Sequence, residues 1–124
     1  MGELAPVVVF AFNRPVHLSE CLAALAADAL ARRTRVFVMA DGARGNHDQD
    51  GVLAVRKLIN EPRWKESFLE FEISCSNANR GLAASIIEGV TRILIDFEKV
   101  IVLEDDLVVA DGFLKYMNDC LDMF

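Results

Sequence analysis

The sequence predicts an α/β fold, a parallel sheet layered between helices, and three observations carry the prediction. Four apolar, β-branched runs alternate with segments of helical periodicity. The first and last of these runs are almost continuously apolar, as strands covered on both faces of a parallel sheet are. The runs also stop at polar residues, the strand ends at which open parallel sheets hold their ligands.

Taken in order, Pro6-Val7-Val8-Val9-Phe10-Ala11-Phe12 reads as a central strand that stops at Asn13-Arg14-Pro15. Proline disfavours helical angles in the residue before it and suits a first helical turn, so a helix starts at about Pro15. Leu18, Leu22 and Leu25 lie along one stripe of that helix, which reaches about Ala27. Val36-Phe37-Val38-Met39-Ala40 is the second strand and ends at Asp41-Gly42. The polar loop 43–51, expected to be mobile, leads into a helix that Glu61-Pro62 breaks.

Residues 68–75 alternate apolar and polar, as an edge strand with one wet face does. The turn Ser76-Asn77-Ala78-Asn79-Arg80-Gly81 opens a helix from about Leu82 to Phe97, with Ile86, Val90, Ile93, Leu94 and Phe97 as its stripe. After the fourth strand, Asp111 reads as the cap of a last helix, Gly112 to Phe124. Right-handed crossovers then give a three-layer α/β/α arrangement, with the expected strand order 3-2-1-4 and the first and fourth strands flanking the reversal point.

The 124 residues suffice for one domain with its own core and show no internal repeat. A net charge of −6 argues against a nucleic-acid partner, and it requires that any phosphate-bearing ligand meet local cations or a metal. The longest apolar run is too short to span a bilayer, and no signal-type core follows a basic N-terminus, so the expected location is cytoplasmic. Cys21, Cys75 and Cys120 are odd in number and widely spaced, which reads as reduced thiols.

The most informative stretch is Val100-Ile101-Val102-Leu103-Glu104-Asp105-Asp106-Leu107-Val108-Val109, an apolar strand that runs into three acids. In an extended segment Glu104 and Asp106 share one side and Asp105 takes the other. Two carboxylates about 4 Å apart repel by roughly 4 kcal/mol at an effective dielectric of 20, so the cluster calls for something positive. A helix cap or a solvated turn is the plain alternative; a divalent cation is the functional one. The chain has no G-x-x-x-x-G-K-[ST] loop and no G-x-G-x-x-G fingerprint to cradle phosphates. A Mg²⁺ or Mn²⁺ ion held by one or two carboxylates and completed by phosphate oxygens removes the repulsion between an anionic ligand and this strand end.

Over residues 102–116 the acidic motif, its strand and the helix after it resemble the GT-A nucleotide-sugar glycosyltransferases. The likeness is to N-acetylglucosaminyltransferase-like members with a Glu-Asp-Asp form of the Asp-x-Asp motif. Phe12-Asn13-Arg14-Pro15 and Asn79-Arg80-Gly81-Leu82 are similar to further family stretches, and the rest of the chain agrees in outline. The resemblance implies a Rossmann-like nucleotide-binding half spanning residues 1–124, with the acceptor half and the catalytic base expected beyond Phe124. It assigns Asp106 to the metal, Glu104 and Asp105 to ribose and donor sugar, Asp41 to the uracil ring N–H, Arg14 to base or phosphate, and Arg80 to the donor side. The implied reaction is metal-dependent transfer of a sugar, from a UDP-sugar by preference, to a glycan or other hydroxyl acceptor. The chain alone is expected to bind without turnover, and the bare edge of its fourth strand offers a route to a homodimer.

Three rivals stand beside this reading. A receiver-like module wants an acid pair after the first strand, where Asn13-Arg14 stands. A nucleotidyltransferase brings a glycine-rich basic loop there. A noncatalytic nucleotide-binding module needs neither.

Overall fold

The computed structural model describes residues 3–123, so the expected reach of the last helix to Phe124 lies outside the described residues. Four strands, β1 (Val7–Ala11), β2 (Arg35–Ala40), β3 (Glu70–Cys75) and β4 (Ile101–Glu104), form one wholly parallel sheet in the order β3-β2-β1-β4. This is the expected topology. β1 is central because it alone is buried at every position, with β2 on one side and β4 on the other.

Helices α1 (Pro15–Ala26), α2 (Gln49–Ile59), α3 (Pro62–Ser67) and α5 (Phe113–Asp122) cover one face, and α4 (Leu82–Asp96) covers the other. The alternation of β1 divides the cores: Val7, Val9 and Ala11 point at Leu18, Leu22 and Leu25 of α1, while Val8 and Phe10 point at Ile93 of α4. Full burial of each such aliphatic side chain contributes about 1.5–3 kcal/mol. Gly89 lets α4 sit directly on β1, since a Cβ there would stand 2.8 Å from the Phe10 ring.

Three local readings need correction. Pro62 breaks α2 and also starts a further short helix, α3, at its first turn; Trp64 of that helix is buried beside Phe71 and donates to the Leu58 carbonyl at 2.9 Å. β4 is not covered on both faces: it ends at Glu104 and Val102 is 41% exposed, because β4 is an edge strand and α4 sits over β1 and Met39 of β2 instead. Asp111 does not cap α5. Gly112, with φ of 82°, is the capping residue, and the Leu114 N–H is met by Asp28 Oδ2 at 3.1 Å from 86 residues away. The other Asp28 oxygen accepts from the Leu30 N–H, so one buried carboxylate ties the end of α1 to the start of α5.

Candidate functional site

A cavity of about 300 Å³ opens over the carboxyl ends of β1, β2 and β4, at the point where the strand order reverses. Its polar lining includes Arg14, Asp41, Arg44, Asn79, Glu104 and Asp105, set over an apolar floor that includes Phe10, Phe12 and Met39. Four of the six residues singled out from the sequence therefore meet in one concavity.

One positive partner of the acidic strand end is a side chain. Arg14 Nη2 donates to Asp105 Oδ1 at 2.5 Å, and the Asp105 side chain is 5% exposed. The burial alternation of β4 continues past its last residue, leaving Glu104 and Asp106 exposed and Asp105 inside. The Leu107 N–H returns to the Glu104 carbonyl at 3.2 Å, so Asp105 and Asp106 occupy the corners of a tight turn. Asp106 does not line the cavity, whereas Glu104 does.

Asp41 is a hub for the opposite wall. Its Oδ1 accepts the Gly42 and Arg80 N–H groups, both at 2.9 Å, and its Oδ2 accepts the Gly81 N–H at 3.1 Å and the Asn79 amide at 3.2 Å. With two donors on each oxygen, the carboxylate folds the loop before α4 onto the tip of β2. Gly42 and Gly81 permit this: a Cβ on Gly42 would lie 2.8 Å from the Ala78 backbone, and Gly81 has φ of 83°. The side chain of Arg80 turns away from the first cavity and pairs with Glu88 in an adjoining cavity of about 230 Å³, which shares Met39, Asp41 and Ser85 with the first.

Two residues of the site were not singled out from the sequence. Asp48, at 2% exposure, accepts from Asn13 Nδ2 at 2.8 Å, from the Arg44 N–H at 3.1 Å and from Arg44 Nε at 3.0 Å. It thereby joins the loop after β1 to the loop after β2. The Arg44 guanidinium beside it, assisted by the Arg44 N–H and by His47, holds the Asp48 carboxyl below the usual carboxylate range. Arg44 in turn stacks on the Phe12 ring, 5.2 Å from its centre. The expected mobile loop is therefore wrapped round a buried acid; no periodicity marks such a residue, which in sequence is one more polar position of the loop. Below the acidic turn, burial first, and then Asp105 and Asp106, push the Cys21 thiol up to about 11.

Among the described residues no three His, Cys, Asp or Glu side chains gather into a metal-binding group. Asp105 is engaged by Arg14, while the side-chain carboxylates of Glu104 and Asp106 have no polar partner among the described residues. Two such carboxylates suit a hard cation that draws most of its shell from phosphate and water, rather than a cage built by the protein alone. No helix of the described residues is long and apolar enough to cross a membrane.

The fold and the cleft define a doubly wound parallel α/β domain with a ligand-sized cavity at its switch point. Set against known proteins, the chain matches no protein-family model and no curated sequence.

Proposed function

We propose that this chain is the nucleotide-sugar-binding part of a metal-dependent glycosyltransferase of the GT-A kind, taking a UDP-sugar as donor and a hydroxyl acceptor. The supporting observation is the cavity at the switch point, where Arg14 after β1, Asp41 after β2 and the Glu104-Asp105 strand end after β4 converge. In this reading Arg14 faces the diphosphate and Glu104 the ribose or donor sugar. Asp41 accepts the uracil ring N–H by releasing the Asn79 amide, the longest of its four contacts.

Asp106 is the residue that would hold Mn²⁺ or Mg²⁺, with phosphate oxygens and water completing the shell. When bound, the ion offsets the charge that grows on the departing diphosphate as its bond to the anomeric carbon breaks. Asp105, clamped by Arg14, fixes the turn from Glu104 to Leu107 that also carries Asp106. A cytoplasmic location and self-association through the open edge of β4 belong to the same proposal.

Calorimetry with UDP and Mn²⁺, repeated on Asp106→Asn, tests it. Uridine-selective binding that the substitution weakens at least tenfold supports the reading. Failure of the unaltered chain to bind UDP, or indifference to the substitution, overturns it.

A further inference from the structure

The cavity holds a second guanidinium that the preceding assignment leaves without a task. We infer that Arg44 is a further anion-binding residue of the cleft, contacting the diphosphate of the ligand, and that buried Asp48 is its positioning residue. This inference rests on the nucleotide-sugar reading and extends it.

Arg44 lies on the loop after β2 and lines the same cavity as Arg14. Its Nε and Nη2 are turned toward Asp48, and its plane rests on Phe12. Nη1 has no partner among the described residues, so the guanidinium keeps donors to offer a ligand after it has been fixed in place. An arginine held in this way loses less side-chain freedom when it grips an anion than one moving in solvent. The holding group is itself anchored: Asp48 is buried and also binds Asn13, the residue before Arg14. One carboxylate thus sets the separation of two loops that each carry a cation to the cavity. Such an arrangement suits a ligand with two adjacent anionic groups, each meeting one planar fork.

Calorimetry on the whole chain at low salt, with UDP and with uridine in the presence of Mn²⁺, decides the matter. Arg44→Ala is expected to weaken UDP binding about tenfold, as the loss of one charge-assisted contact does, and to leave uridine binding unchanged. Arg44→Lys recovers part of the affinity. Asp48→Asn weakens UDP binding while Arg44 is present and adds nothing in the Arg44→Ala background, which a loss of general stability would not reproduce. Unchanged UDP affinity in Arg44→Ala overturns this inference and spares the glycosyltransferase reading. Equal losses for UDP and uridine overturn it too, by making Arg44 a base or scaffold contact. An unaltered chain that binds neither probe overturns both.

Discussion

Arg14 Nη2 and Asp105 Oδ1 meet at 2.5 Å across the tips of β1 and β4, with the arginine half-exposed and the aspartate buried. The pair bridges the two strands on either side of the switch point, so it is a structural fastener for the cleft as well as part of its lining.

Arg14→Ala leaves the Asp105 carboxylate buried without its cation. The expected loss is about 1–3 kcal/mol, the cost of an unsatisfied buried polar group, read as a lower urea midpoint with an unchanged slope. Arg14→Lys restores only part of it, because an ammonium lacks the planar fork. A midpoint in Arg14→Ala equal to that of the unaltered chain would show that the pair contributes nothing.

Asp41→Ala deprives four donors of one acceptor. The loop before α4 should detach while the sheet persists. Amide hydrogen exchange reports this directly: the Arg80 and Gly81 amides lose protection in the variant, and those of β1 keep theirs. Protection retained at residues 80 and 81 would mean that the loop is held by something else.

How far the molecule was legible in its sequence follows from the range of the forces involved. The parallel sheet, its order and the Leu18, Leu22 and Leu25 stripe were legible because hydrophobic periodicity is local and repeated. Arg14, Asp41, Glu104 and Asp105 were legible as one group because strand ends in a parallel sheet converge by topology alone. Helix α3 was not, since six residues after a proline are too few for a period to show. The Asp28 cap of α5 and the Asp48 bridge join residues 86 and 35 positions apart, and nothing in a linear pattern marks an acid that will be buried by partners so distant. For the same reason Arg80, adjacent to Asp41 through its backbone, has its side chain in the neighbouring cavity.

Gly51 offers a test in which local propensity and packing oppose each other. It lies in the first turn of α2, where alanine in place of glycine ordinarily gains up to about 1 kcal/mol. A Cβ there would stand 2.4 Å from the Asn13 carbonyl oxygen, a backbone atom that cannot swing aside. Gly51→Ala is therefore expected to destabilise by about 1–3 kcal/mol and to shift the amide resonances of Asn13 and Arg14. A stabilised variant would show that α2 and the β1 loop are less closely packed.

Cys21 gives stability an alkaline limb. Its thiol is pushed from an ordinary 9.0 up to about 11, by burial first and then by Asp105 and Asp106. The folded state thus keeps a proton that the unfolded chain releases. The contribution is whole below pH 9 and is lost as pH rises toward 11, about 2–3 kcal/mol in all. Cys21→Ala removes this component, so its stability falls less steeply between pH 9 and 11, whatever the change at neutral pH. Parallel pH profiles for the two proteins would refute the assignment.

The open side of β4 leads to a last prediction, on association. The Ile101 N–H donates to Pro6, which by the alternation of a parallel ladder turns the Val102 N–H and carbonyl outward from the sheet. Beside them the Val102 side chain is 41% exposed. A strand edge of this kind pairs with a second copy unless it is guarded, and within β4 itself the one charged residue is Glu104 at its end. Sedimentation should therefore show concentration-dependent dimers. Val102→Pro deletes an outward N–H and no bond to β1, so it should yield a monomer with the fold intact. An unaltered chain that stays monomeric at millimolar concentration would show that the edge does not pair, whereas a Val102→Pro chain that still dimerises would place the contact elsewhere.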